Sequence, residues 1–395
     1  MRDETVLGPF SPDQVIEQRV LVSFDDSVTG FLEILSKEIL AHPMSRKFPD
    51  LAAFGFFIRK ANIKKMLTRK VGSGGGVHMG LGLAFHIAPA NVPLNFAYSL
   101  VVALLCGNPS VVRVSSKYYE QANFLISLIN AVANRVKLAP IFTLVTYDHE
   151  SDRNEFYSKI ARIRMIWGGD STIETFKKFR VKPDVVDIAF PNKYSISIVD
   201  AQFYLSQCEP ENISSKFYDE VYTFDQNACT SPRAVVWLGG CDDANAAQKL
   251  FWRSLGQECE RRGHSPSVSA MINHFSSYSK LAALNLVQDS DFDSHTSFRL
   301  LAAKVVTPQV FDSHPGEGLF YNFTVENLPE IESLFADRCQ TISIIGDIRE
   351  RLVHWIAEVG LSGVDRICAL GTGQNFDIDW DGKDLWASMT RRFPI

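Results

Sequence analysis

The segment from Phe224 to Pro232, F-D-Q-N-A-C-T-S-P, sets a thiol, Cys229, among small and polar neighbours between an expected helix and an expected strand. Cysteines kept for packing sit among apolar residues, whereas Asn227, Thr230 and Ser231 place this one in a loop facing a cleft. A thiolate there can attack a carbonyl carbon and hold it as a thioester or thiohemiacetal. A second segment, P-A-N-V-P from Pro89 to Pro93, follows an expected strand, and open α/β sheets place ligands at that end of their strands. Its prolines fix the loop, and Asn91 offers an amide N–H₂ for an oxyanion developing at a Cys229 thioester. Without Cys229, Asn91 reads as a turn residue bonding its own backbone.

The elements that must position these residues alternate in type. A mainly helical stretch over 25–70 leads to a glycine-rich run from Val71 to Gly82. The pattern then predicts strand 83–87, helix 95–106, a Gly-Asn-Pro turn at 107–109, strand 110–114, helix 117–135, strand 141–146, helix 152–161, strand 163–167, helix 171–179 and strand 185–190. Strands separated by helices of this size imply a parallel, doubly wound sheet. A strand at 195–199 precedes a polar stretch at 206–216 that suggests a crossing between domains; beyond it come strand 234–238, helix 242–262 and further alternation to about residue 360. The expected division is a nucleotide-binding domain with a helical N-terminal region over 1–198, a domain carrying the cysteine over 199–362, and an interface segment over 363–395.

Composition narrows the function classes. With 46% hydrophobic and 22% charged residues the chain has ordinary globular usage, and a net charge of −5 spread along it calls for neither nucleic acid nor an anionic membrane. Seven cysteines with no C-x-x-C pair signal neither a disulfide framework nor a metal site. Cys106, Cys208, Cys241, Cys339 and Cys368 are expected to be structural or incidental, and Cys259, on a polar helix, to lie at the surface. No secretory leader is evident, so the expected location is the cytoplasm with reduced thiols. The longest uncharged stretch, Leu81 to Gly107, is broken by Pro89, Asn91, Pro93 and Asn95, which makes it a core segment rather than a membrane span. G-x-G-x-x-G, the phosphate-loop pattern and H-E-x-x-H are all absent.

Five segments, in order, resemble the aldehyde dehydrogenase superfamily, most closely its LuxC-type branch, the long-chain fatty acyl-CoA reductases. The Pro89–Pro93 loop is similar to that family's P-x-N-x-P, and Leu104 to Arg113 to its A-x-x-x-G-N-x-x-V-x-K. Ile166 to Asp170 resembles the F-[TS]-G-S turn, Asn227 to Pro232 the nucleophile motif, and Asp379 to Leu385 the W-D-G-x-D close. The resemblance implies an aldehyde-dehydrogenase-like α/β fold whose Rossmann-like domain lacks the glycine fingerprint, with Cys229 as nucleophile and Asn91 as oxyanion donor. It also implies a cofactor site at Pro89, Arg113, Ser115, Ser116, Trp167, Gly168, Gly169 and Phe320, and no metal. A fatty acyl-CoA, or an acylated LuxE-type acyl-protein synthetase, would be the acyl donor, and the chain would form a homodimer or homotetramer.

Three departures from the pattern set the expected direction and cofactor. The segment Asp187 to Lys193 holds no Glu where hydrolytic members carry their water-activating base, which favours a reductase of acyl thioesters; Asp187 is expected to pair with a surface cation. Ser116 stands where NAD-preferring members have a Glu, so NADPH is expected over NADH, helped by Arg113 and Lys117. Gly318 replaces a Glu in the E-E-I-F-like segment Glu317 to Phe320, and Asp170 replaces a Ser. Those last two leave open a non-reducing acyl carrier or scaffold subunit. A thiol hydrolase of acyl-CoA also stays open, and it would need His149, His264, His274 or His295 within reach of Cys229.

Overall fold

The computed structural model describes residues 4–71, 76–289, 295–335 and 338–394; Gly72 to Gly75 of the glycine-rich run lie outside them. The chain forms two compact units, one of residues 1–192 with 375–395 and the other of 193–374. The divisions fall at 192/193 and 374/375, not at the 198/199 and 362/363 suggested by the sequence.

Strands β1 (Thr5–Val6), β2 (Val77–Gly80), β3 (Ala84–Ile87), β4 (Ser110–Arg113), β5 (Phe142–Thr146), β6 (Ile163–Trp167) and β7 (Val186–Phe190) belong to the first unit. Its main sheet among the described residues runs β1-β5-β4-β3-β6-β7, with only β1 antiparallel to its neighbour. Parallel strands buried on both faces read as continuous apolar runs. Phe85, Ile87, Val111 and Val145 pack on one side with Tyr157 and Phe176, while Ala84, Val112, Leu144 and Met165 pack on the other. The Asn95–Leu105 helix is buried along its whole length. By contrast the Glu120–Arg135 helix turns Leu125, Ile129 and Val132 inward at helical spacing.

The Gly-Asn-Pro turn explains itself in this setting. Gly107 has φ +85, and a Cβ there would sit 2.2 Å from the Leu21 carbonyl oxygen. Asn108, buried, accepts from the Leu81 and Gly82 N–H groups at 2.7 and 3.2 Å and donates to the Met389 carbonyl at 3.0 Å. One side chain thereby ties the start of the sheet to the returning C-terminus.

The second unit holds β8 (Tyr194–Asp200), β9 (Pro232–Leu238), β10 (Val287–Asp289), β11 (Arg299–Ala303), β12 (Leu319–Val325), β13 (Cys339–Ile345) and β14 (Arg366–Ala369). Their order is β10-β11-β12-β9-β8-β13-β14, parallel except for β10. The 206–216 stretch is not a crossing between domains. Most of it belongs to the Pro210–Tyr222 helix, whose Ser214, Phe217 and Val221 are buried, and Phe217 and Val221 join the apolar cluster that also holds Phe251 and Trp252 of the Cys241–Arg261 helix.

The C-terminal segment returns to the first unit. Residues Thr390–Phe393 pair antiparallel with β2, and Trp386 donates from Nε1 to Ser23 Oγ at 2.6 Å. Asp187 pairs with Arg164, a buried cation and not the surface one expected: Nε reaches Oδ1 at 2.7 Å and Nη2 reaches Oδ2 at 2.5 Å. Removing one member of a buried pair leaves an uncompensated charge. Asp187→Ala is therefore expected to lower unfolding stability by about 3 kcal/mol, read from the shift in urea midpoint at unchanged m-value.

Candidate active site

In the first unit, β3, β4, β5, β6 and β7 lie in the spatial order third, second, first, fourth, fifth, so the chain reverses direction of travel between β3 and β6. Such a switch point opens a crevice at the carboxyl ends of the strands. Every candidate of this unit falls there: Pro89 and Asn91 after β3, Arg113, Ser115 and Ser116 at and after β4, and Trp167, Gly168 and Gly169 at and after β6.

The loop after β3 is held by Tyr119, whose hydroxyl donates to the Ala90 carbonyl at 2.9 Å, and Asn91 is exposed. Arg113 lies over the Tyr147 ring, 5.2 Å from its centroid, and Nη2 donates to the Tyr147 carbonyl at 3.3 Å. Its Nε is buried without a hydrogen-bond partner. Ser115 Oγ accepts from the Lys117 N–H at 3.2 Å, forming a small turn that leaves Ser116 and Lys117 exposed.

The Trp167 indole is buried, stacked on Phe190 at 3.6 Å between centroids, and its Nε1 donates to Ser99 Oγ at 3.1 Å. What this residue offers a ligand is its backbone. His86 Nδ1 lies 2.7 Å from the same hydroxyl, and burial pushes its pKa down to about 3, so the imidazole stays neutral. Gly168 has Thr172 Cβ 3.0 Å from where its own Cβ would stand, while Gly169 opens onto free space and precedes the Asp170–Lys177 helix.

In the second unit Cys229 sits in a turn between the Pro210–Tyr222 helix and β9, and its residue is only partly buried. That helix closes through two successive left-handed residues, Asp225 at φ +52 and Gln226 at φ +59, with the Gln226 N–H on the Val221 carbonyl at 2.6 Å. The Gln226 side chain, only 1% exposed, then makes three bonds: Nε2 donates to the Pro232 and Leu319 carbonyls, each at 2.9 Å, and Oε1 accepts from the Gly318 N–H at 2.9 Å. Ser195 Oγ donates to the Cys229 carbonyl at 2.6 Å while accepting the Thr341 N–H at 3.2 Å, and Ser231 Oγ donates to the Glu220 carbonyl at 2.7 Å. The Cys229 turn is thus fixed from three sides at the amino ends of β8, β9, β12 and β13.

Two expectations change in this unit. Phe320 is fully buried against Phe217, Trp252 and Phe298, so its ring has no free face for a nicotinamide. Cys259 is not at the surface but in the same apolar cluster, where burial raises its thiol to about 12. Cys106, Cys339 and Cys368 are also buried, and Cys241 is exposed.

Gly318 has φ +89, and a Cβ on it would meet Tyr222 Oη at 3.0 Å. Of the histidines considered for a hydrolase, His264 lies against the Tyr222 ring at 4.1 Å, His274 is buried in the Val268–Ala283 helix, His295 Nε2 is 3.2 Å from Glu260, and His149 belongs to the first unit. Among the described residues no group of acidic, histidine and cysteine side chains is placed to hold a metal, and no helix is long and apolar enough to cross a membrane.

Residues 74–392 match the model of the LuxC acyl-CoA reductase family. The chain belongs to that family. It is 25% identical over 309 residues to a long-chain acyl-protein thioester reductase of Aliivibrio fischeri, and 22% identical over 309 residues to one of Photorhabdus laumondii. Each match covers 75% of this chain but only 60% of the relative's length. The fold is that of aldehyde dehydrogenases. Aldehyde dehydrogenase 21 from Physcomitrella patens superposes with a TM-score of 0.64 at 10% identity, covering 93% of this chain and 85% of that one. A Bacillus halodurans NADP-dependent glyceraldehyde-3-phosphate dehydrogenase complexed with NADP superposes with 0.58 at 17% identity, covering 94% and 84%.

Sequence reasoning missed Gln226 and Ser195, two of the side chains that hold the Cys229 turn in this LuxC-family chain. Gln226 stands inside the Phe224–Pro232 segment, and a glutamine beside a loop cysteine was the available signal; Ser195 had none. Replacing Gln226 with the similarly sized Met removes three buried bonds and leaves the Gly318 N–H without its acceptor. Gln226→Met is expected to lower stability by about 2–4 kcal/mol in urea unfolding, against no more than about 1 for Gln18→Met, whose amide makes one exposed bond within its own turn.

Proposed function

We propose that this chain reduces a fatty acyl thioester to the fatty aldehyde with NADPH, through a thioester on Cys229. The observation that carries the reading is the family match across residues 74–392, which spans both the Asn91 loop and the partly exposed Cys229 turn. The acyl donor is an acyl-CoA or an acylated partner of the LuxE type, in keeping with relatives named for acyl-protein thioesters.

Cys229 attacks the acyl carbonyl carbon, forming a C–S bond as the carbonyl becomes an oxyanion. The family pattern assigns stabilisation of that charge to the Asn91 amide and the Cys229 N–H, and collapse of the oxyanion expels the donor's thiolate, which takes up a proton. Arg113, Ser115, Ser116 and the Gly168–Gly169 turn would hold a reduced nicotinamide dinucleotide, which would supply the hydride needed to bring the thioester carbonyl to the aldehyde level. Cys229 then recovers the C–S electron pair as the aldehyde departs. Asp187, committed to Arg164, does not supply a base for water attack, which favours exchange with an external thiol over hydrolysis.

The crevice has the donors a dinucleotide needs. Arg113 keeps a buried Nε without a protein partner, Gly169 leaves room for close approach at a helix start, and Pro89 shapes the loop beside them. Ser115, exposed Ser116 and Lys117 present hydroxyls and a cation and no carboxylate, which suits a ribose 2′-phosphate and supports NADPH over NADH.

The test is oxidation of NADPH with a long-chain acyl-CoA, run beside NADH. Aldehyde formation is expected with wild type and none with Cys229→Ala; Asn91→Ala is expected to lower kcat by about 10²–10³. Acylation of Cys229 without NADPH oxidation, given either acyl-CoA or acylated partner, would establish a carrier instead. Cleavage of acyl-CoA with no nicotinamide present would establish a hydrolase.

A further inference from the structure

Four residues after the nucleophile, at the second position of β9, stands Arg233. Its Nε is buried and has no hydrogen-bond partner. A buried guanidinium is costly unless an anion or a full set of acceptors offsets the lost hydration. Among the described residues the ionisable groups that act on it are Cys229 first, then Tyr321, with Arg338 opposing, and no carboxylate.

The other ionisable groups around it are accounted for. Tyr321 is pushed up to about 12 by burial, so its phenol is neutral at ordinary pH. Arg338 pairs with Asp312 at 3.0 Å. His314 is held neutral by its burial and then by the repelling charge of Arg233; its Nε2 donates to the Leu319 carbonyl at 2.9 Å and its Nδ1 accepts the Gly316 N–H at 3.0 Å. Protonating Nδ1 would forfeit the second bond. Among the described groups acting on Arg233, that leaves the Cys229 thiol as the candidate anion.

We propose that Arg233 is the counter-ion of the Cys229 thiolate, a positioning residue that keeps the nucleophile ionised. A cation beside a thiol favours the thiolate, and the thiolate supplies the negative charge the guanidinium lacks. The balance is simple: the thiol loses its proton to solvent, and no oxidant or further reactant takes part. The same cation steadies Cys229 as a leaving thiolate when the aldehyde departs. This deepens the proposed reductase reading and rests on Cys229 being its nucleophile.

The experiment is the pH profile of Cys229 alkylation by iodoacetamide in the full chain, with modification of the Cys229 peptide quantified by mass spectrometry. It uses neither acyl donor nor nicotinamide, so its outcome is independent of whether the chain proves to be a reductase. Wild type is expected to show a midpoint at least one pH unit below that of an ordinary thiol, about 8.5. Arg233→Met is expected to raise the midpoint by at least one unit and slow alkylation at pH 7 about tenfold, and Arg233→Lys to restore at least half of the shift. Parallel urea unfolding shows that each variant is folded. A folded Arg233→Met protein with an unchanged midpoint overturns the proposal. A wild-type midpoint at or above about 8.5 overturns it as well, without any variant.

Discussion

The geometry around Cys229 depends on one buried amide. Gln226 joins two backbone segments, at Pro232 and at Gly318–Leu319, through three bonds of 2.9 Å each, and its backbone is left-handed together with that of Asp225. Two adjacent non-glycine residues at positive φ are strained, and such strain persists only where the surroundings over-determine it. Here the surroundings do so. The helix end is closed by the Gln226 N–H on Val221, and Glu317 N–H returns to the Asp225 carbonyl at 3.1 Å. The loop holding the Cys229 thiol is therefore fixed at the amino end of a central strand, and it needs no ligand to order it.

The two units solve different positioning problems with the same architecture. In the first, the order of parallel strands gathers three loop ends at one crevice, so no single residue needs to be strained and small residues such as Gly169 and Ser116 suffice. In the second, the reactive side chain stands at the amino ends of the strands, where strand order opens no crevice. Placement there falls to side chains instead: Ser195 on the Cys229 carbonyl, Ser231 on Glu220 and Gln226 on the facing turn.

What the sequence makes legible follows from this contrast. Loops that follow strands of a doubly wound sheet announce themselves by periodicity, so the amino-acid pattern alone suffices to assign Asn91, Arg113 and the Gly168–Gly169 turn to strand ends. Cys229 was legible because its neighbours are unlike those of a packing cysteine. The clamp was not, because Gln226 reaches a carbonyl 93 residues away and Ser195 one 34 residues away. Long-range pairing of polar side chains has no period. Cys259 was misjudged for a related reason: the Cys241–Arg261 helix is polar overall, yet Ala244, Phe251, Leu255 and Cys259 form its buried stripe. The 206–216 stretch misled similarly, since its polar residues surround a helix that is anchored by Phe217 and Val221 just beyond.

Gly318 shows how a departure from a family pattern can reflect a local constraint. Where the resemblance implies a glutamate that holds the cofactor, this chain has a residue whose φ of +89 disfavours any side chain, and a Cβ there would press on Tyr222 Oη at 3.0 Å. The same backbone conformation aims the Gly318 N–H at Gln226 Oε1. A glutamate at this position would strain the turn that orders the nucleophile, so the glycine belongs to the machinery that presents Cys229. Its presence therefore carries no weight for a chain that has lost its cofactor, and the argument for a non-reducing carrier loses one of its two premises. The other, Asp170 in place of a serine, has a local role as well: its Oδ1 accepts the Asn192 N–H at 3.4 Å.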